Sequence, residues 1–345
     1  MKQINWNEKT SEKDFVIAIL IIAGIAIAFF IYMNIPKNNE IKADIIEITS
    51  PNLTSQSISE KFINPALIDS KKTVNYQSNE GKNLLSKYKI TKIPSLIIKS
   101  KNIQSLELDK NLFEIKDNTA ILRNSAPYLD LNTNQIKGLV TLTIIKDSSC
   151  TECFDMSIIE PGMQKAGIVI KNTEIIDSLS EQGKELIKNN NIKTLPALII
   201  SDDIKEYIAF SELQKVLEKQ NDGYKLSQPV YPYKEITTGK IKGKITVTYI
   251  TNESCSNCPD ITQATPTLEN LGFIIVNEKF LNLSSNEAKQ LITKYNIAKF
   301  PTFILSPEVS DYDLKDLLSQ LGTFEKDSSF VFRETDKLQS NQNGG

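Results

Sequence analysis

Four cysteines are the residues of this chain best equipped for chemistry, and they fall in two pairs of one spacing: Cys150 with Cys153, and Cys255 with Cys258. Two thiols with two residues between them can cycle between dithiol and disulfide. They can also close as a small structural disulfide, or each pair can supply half of a four-cysteine zinc site. The 345-residue chain contains no histidine, which removes the commonest general base and the commonest zinc ligand. Thiol exchange needs neither. A thiolate at a helix N-terminus is stabilised by unpaired backbone N–H groups and by the helix dipole, which lowers its pKa from about 8.5 into a range of about 3.5–7.5. The stretches SSCTEC and ESCSNC read as a turn running into a helix. The first cysteine of each is then the nucleophile, and the second resolves the mixed disulfide. Glu152 lies between Cys150 and Cys153 and disfavours a thiolate, so Cys150 is expected to be the less acidic nucleophile.

The elements that must position these pairs come in repeats. Residues 127–201 lie over 232–306 without a gap at a constant offset of 105. PYLDLNTNQIKG matches PYKEITTGKIKG, both cysteines of each pair coincide, and NNIKTLPALIIS matches YNIAKFPTFILS. A weaker copy without cysteine precedes them: KNLLSKYKITKIPSLII (82–98) is like KQLITKYNIAKFPTFIL (289–305), and IKADIIEI (41–48) is like IKGLVTLT (136–143). Each full copy reads as a β-rich run (139–146, 244–251), a CxxC turn with a helical stretch, and a second strand (167–171, 272–276). A helix with one apolar face (180–190, 285–295), a proline-led third strand and a last helix (212–220, 313–321) complete it. That order predicts an α/β fold with helices packed on a sheet.

At this point the chain resembles the thioredoxin superfamily, in which a strand leads into a CxxC and a cis-proline facing the dithiol follows some 45 residues later. Cys150 to Pro196 and Cys255 to Pro301 both span 46 residues. The resemblance covers roughly residues 37–335. It implies three tandem thioredoxin-like modules. Cys150 and Cys255 would be nucleophiles and Cys153 and Cys258 resolving thiols. Pro196 and Pro301, with Leu195 and Phe300 just before them, would shape a groove where an extended substrate strand pairs with the backbone. Pro94 takes that place in the first module. The chain departs from the family in its Ser149 and Ser254 before the first cysteine. The family's buried acid is also missing, with Ile144 and Tyr249 in its place.

Phe15 to Pro36 holds no charged residue, long enough to cross a hydrocarbon core of about 30 Å as a helix. It lacks a small-x-small cleavage site, so it reads as a retained signal anchor. Lys2, Lys9, Lys13 and the terminal amine weakly favour a cytoplasmic N-terminus and an extracytoplasmic body. The expected layout is a cytoplasmic segment 1–14, an anchor 15–36, a cysteine-free module 37–126, a CTEC module 127–228, a CSNC module 229–335 and a disordered tail 336–345. A net charge of −2 gives no field for nucleic acid. No phosphate loop, carboxylate pair or serine triad stands out, and no cofactor is expected. The reading is a membrane-anchored thiol–disulfide oxidoreductase that acts on protein thiols or disulfides and is recharged by a separate redox partner. The alternatives are a binding or scaffold protein with structural disulfides, and a zinc protein that uses all four cysteines.

Overall fold

The computed structural model describes residues 42–50, 58–221, 223–252 and 258–335. The segment 1–14, the apolar stretch 15–36, Cys255 and the tail 336–345 lie outside the described residues. Among the described residues no helix is long and apolar enough to cross a membrane.

Three five-stranded mixed sheets follow one another along the chain with one strand order. An inner strand, here called the central strand, opens each module and takes the second place in its sheet: Ala43–Thr49, Val140–Lys146 and Lys244–Thr251. It pairs in parallel with a long edge strand, Ile68–Asn75, Ile170–Asp177 or Ile274–Asn282. On its other side it pairs antiparallel with the strand that follows the proline, Ser95–Lys99, Ala197–Ser201 or Thr302–Leu305. A hairpin completes each sheet, its second strand next to the post-proline strand and its first on the outer edge. Parallel pairing requires a crossover connection, and the stretch after each central strand supplies it.

Alternation along the central strand feeds two cores. In the middle module Val140, Leu142 and Ile144 pack against Ile159, Met163 and Leu213 on one face. Ile145 packs against Leu195 and the helix residues Leu186 and Ile187 on the other. The third module repeats this with Ile245, Val247 and Tyr249 on one face and Ile250 on the other. Helices therefore pack on both faces, and the second face stays partly open at Thr141, Thr143, Thr246 and Thr248, which are half-buried. The post-proline strands Ser95–Lys99 and Thr302–Leu305 are the more continuously apolar and buried runs.

The second-face helices are Asn79–Tyr88, Glu181–Asn189 and Asn286–Tyr295. Each starts on a serine, Ser78, Ser180 or Ser285, whose side chain accepts the backbone N–H three residues on, filling one of the orphan donors of the first turn. At the other end Arg123 donates to the carbonyls of Tyr88 and Lys89, and Arg333 to those of Tyr295 and Asn296, answering the orphan acceptors of the last turn.

Several expectations from the sequence are corrected. The second strands begin later and run longer than 167–171 and 272–276. Gly167 and Gly272, at φ +82° and +88°, end the preceding helices in the left-handed conformation that favours glycine, so the strands start only beyond them. The last helices are four residues each, Phe210–Leu213 and Lys315–Leu318, rather than 212–220 and 313–321. Leu217–Gln220 is instead a strand paired with Gly223–Leu226. Helical periodicity there loses to sheet pairing across the intervening turn. The first-module alignment shifts by two residues: Glu47 faces Leu96 as Ile144 faces Leu198 and Tyr249 faces Phe303.

Candidate active site

Cys150 and Cys153 are joined in a disulfide, in the loop that leaves the C-terminal end of the central strand. Both are half-buried. The loop is held from two sides. Asp147 ends the strand, and its Oδ1 accepts both the N–H and the hydroxyl of Ser149, an Asx turn of the kind short acidic side chains favour. The Cys150 N–H donates to the Asp147 carbonyl at 3.0 Å. From the neighbouring strand, the Asp177 carboxylate accepts the N–H groups of Ser148 and Leu179.

The loop does not sit at a helix N-terminus. A 3-10 turn, Met156–Ile158, follows Asp155, and the α-helix is Ile159–Lys165. Pro161 explains the late start. Its missing N–H is tolerated only within the first helical turn, and a helix begun at Cys150 would carry it deep in the interior. Pro266 sits likewise near the start of Ala264–Asn270. The dipole expected to lower the pKa of Cys150 is therefore not aimed at it. The Glu152 charge expected to raise it is met by the Lys244 ammonium from the third module.

The topology brings each proline to the sheet end from which the cysteine loop departs. Ala197 faces Ile145, so Pro196 flanks the end of the central strand; Thr302 faces Ile250, which places Pro301 likewise. The Ile93–Pro94, Leu195–Pro196 and Phe300–Pro301 bonds are all cis, as are Ala126–Pro127 and Tyr231–Pro232. Phe300 is half-buried against the cluster around Ile250 and Ile304. Cys258 is disulfide-bonded as well. In this oxidised form the sulfurs of Cys150 and Cys153 are bonded to each other and are not the thiolates a zinc site uses.

The edge at Leu195, expected to be a substrate groove, is occupied from within the chain. Thr194–Leu195 pairs antiparallel with Tyr233–Glu235, the first strand of a hairpin that precedes the third module. The first module shows the same arrangement, Lys92–Ile93 pairing with Tyr128–Asp130.

Three side chains around the site and at its register position escaped the sequence reading. Asp147 was marked only by its place before Ser-Ser-Cys. Lys234 reaches it from 87 residues away, a contact without a local signal. Glu47, 2% exposed, accepts the Ser59 N–H at 2.7 Å in the register position of Ile144 and Tyr249, so the cysteine-free module carries an acid where the other two do not. In the third module the Tyr249 hydroxyl contacts Thr265, which in turn donates to Glu278, and burial raises the pKa of the phenol.

The hydrogen bond from Lys234, followed by that from Ser149, holds the Asp147 carboxyl down at about 2 against an ordinary 3.8. A depressed folded value stabilises the folded form fully above the unfolded pKa, and that contribution is lost as pH falls from about 4 through about 2. Between those limits the unfolding midpoint of the wild-type chain is expected to fall more steeply than that of Asp147→Asn. Parallel slopes in chemical denaturation across that window would show that the carboxylate is not so held.

The three sheets, their proline-led strands and the CxxC loop are consistent with tandem thioredoxin-like modules. No family model and no curated protein sequence matches the chain. Solved structures that it resembles include a protein disulfide oxidoreductase from Aeropyrum pernix K1, at 13% identity and a TM-score of 0.16, covering 49% of this chain and 77% of that one. Human ERp44 in its zinc-bound form aligns at 10% identity and a TM-score of 0.17, covering 88% and 86%. Full-length ERdj5 aligns at 10% identity and 0.16, covering 90% and 46%.

Proposed function

We propose that this protein is a membrane-tethered thiol–disulfide oxidoreductase acting on protein thiols and disulfides. The observation that carries the reading is the half-buried Cys150–Cys153 disulfide, held in an irregular loop at the sheet end where the proline-led strand begins. A structural disulfide is usually buried and inert; one in a partly exposed loop can be reached by a thiolate. A substrate thiolate attacks the sulfur of Cys150, the S–S bond breaks, and Cys153 leaves as a thiolate that takes up a proton. A second substrate thiolate then attacks the mixed disulfide and expels Cys150. The substrate dithiol loses two electrons and becomes a disulfide, and the CxxC gains them. Run backwards, the same steps reduce a substrate. Cys255 and Cys258 form the second dithiol in the same scheme. The apolar segment 15–36 tethers the body to a membrane on its extracytoplasmic side, and a separate redox partner recharges the dithiols.

Trapping tests the chemistry. In Cys153→Ser the second thiol is gone, so a mixed disulfide at Cys150 cannot be resolved from within its own pair. Incubation of the full chain with glutathione disulfide is expected to leave one glutathione on Cys150, seen as a mass increment on its peptide. An unmodified Cys150 thiol would sink the exchange reading for this module.

A further inference from the structure

The hairpin ahead of the third module, Tyr233–Glu235 with Ile241–Lys242, lies across the CTEC module in a way that joins every part of its candidate site. Its first strand takes the backbone edge at Thr194 and Leu195, and the Ile236 N–H extends the pairing to the Lys193 carbonyl at 2.9 Å. The Pro232 carbonyl accepts the Phe154 N–H, next to Cys153, at 2.7 Å. The Lys234 ammonium bonds Asp147, three residues before Cys150, and Lys244 just beyond the hairpin pairs with Glu152.

The corresponding hairpin of the first junction shows what distinguishes this one. At the position of Lys234 it carries Leu129, which is 8% exposed and packed with Ile93, Ile97 and Ile121 of the first module. That junction is plugged by an apolar side chain. The second junction has a lysine there, and the core cluster around Leu195 includes no hairpin residue. The apolar anchorage of this hairpin lies on the other side: Tyr231 stacks on Tyr312 and packs on the third module's core. Lys242 and the Gly243 N–H both bind the Asp311 carboxylate. The chain stays anchored in the second module's core up to Val230. From Tyr231 onward its apolar contacts are with the third module, and the hairpin strands themselves meet the second module through backbone pairing and charge. They can therefore lift from its edge while Val230 keeps that core closed.

We propose that this hairpin is an intramolecular strap that occupies the strand-pairing edge of the CTEC module, closing Cys150–Cys153 to extended polypeptides while leaving it open to small thiols, until the strap lifts. The proposal rests on the exchange reading above and adds its regulation. Lys234 is the positioning residue, since its contact with Asp147 ties the strap to the cysteine loop.

The test uses the full chain in detergent, oxidised, with two reductants: reduced glutathione, and an unstructured ten-residue peptide with one central cysteine. Opening of Cys150–Cys153 is followed by alkylation and peptide mass. Lys234→Ala is expected to speed opening by the peptide about tenfold, the population change that follows loss of one charge-assisted hydrogen bond at a nearly buried carboxylate. Glutathione is expected to react at a rate within about twofold of wild type, since a small thiol needs no strand edge. Lys234→Arg, which keeps the charge, is expected to behave as wild type. Amide exchange at Ile236 reads the strap apart from any redox chemistry and is expected to accelerate in Lys234→Ala. Equal acceleration by both reductants, no change with the peptide, or unchanged exchange at Ile236 would each overturn the strap. Failure of glutathione to open the disulfide in every form would instead overturn the oxidoreductase reading, and the strap with it.

Discussion

Replacing Cys150 and Cys255 together by serine is expected to abolish thiol–disulfide exchange by this chain while leaving its three sheets folded. A hydroxyl at neutral pH is not ionised and cannot form or accept a mixed disulfide, so neither remaining thiol, Cys153 or Cys258, has an internal partner to complete a turnover. The fold is expected to survive for a physical reason. The disulfide closes the short loop between Cys150 and Cys153, and a loop so short constrains the unfolded chain little, on the order of 2 kcal/mol in the chain-entropy account. The loop keeps its other ties, from Asp147, Asp177 and the Cys150 N–H, and the first module holds the same fold around a segment with no cysteine. The measurement is reduction of a peptide disulfide coupled to a thiol reagent, with far-ultraviolet circular dichroism as the folding control. Single substitutions apportion the activity between the two modules. Exchange retained by the folded double variant would mean that the chemistry lies elsewhere.

The second large effect is expected at Gly183, which draws the helix Glu181–Asn189 against the strand that steadies the cysteine loop. A Cβ added there would lie 2.1 Å from the Asp177 carbonyl oxygen and 2.9 Å from Ser178 Cα. Both are backbone atoms, so nothing flexible can yield, and helix and strand must separate. The Asp177 carbonyl also accepts the Ser180 hydroxyl and N–H, so the movement strains the helix cap as well. Alanine is the better helix former by about 1 kcal/mol, yet overpacking typically costs about 1–3 kcal/mol and occasionally more. Gly183→Ala is therefore expected to lose about 2 kcal/mol in the middle module, read as faster amide exchange in Val140–Lys146 with Lys244–Thr251 unaffected. The third module makes the comparison from within the chain: Ala288 stands at the matching position, fully buried, with its N–H on Ser285 at 3.2 Å. There Ala288→Gly is the destabilising change. A neutral Gly183→Ala would show that the helix sits farther from the strand than this packing requires.

The repeat carried most of the fold into the sequence. Matching Pro196 with Pro301 and aligning the runs around them was enough to place the central and post-proline strands, because the post-proline strands are short apolar runs and the central strands alternate apolar residues with threonine in a β-branched pattern. What failed had competing signals. Pro161 and Pro266 forbid a helix that starts at the cysteines, and the periodicity around them masked that restriction. Leu217–Gln220 has a helical pattern but lies in an edge strand because a turn returns the chain to Gly223. Glu47 was misplaced by two residues, a shift that keeps each side chain on its face and so leaves no trace in the hydrophobic pattern. The site was legible as far as its cysteines and prolines. The occupied edge at Leu195 was not, since it depends on Lys234 and Asp147 meeting across 87 residues, and nothing local to either announces the other.

The exchange reading turns on how readily Cys150–Cys153 is reduced. The full chain would be equilibrated in glutathione or dithiothreitol buffers of stepped potential, its free thiols alkylated, and the peptide holding Cys150 and Cys153 counted by mass. A midpoint between about −270 and −120 mV, the span of known exchange catalysts, is the predicted result. A midpoint below about −300 mV would mark an inert structural disulfide and contradict the account, leaving a tethered binding protein in its place.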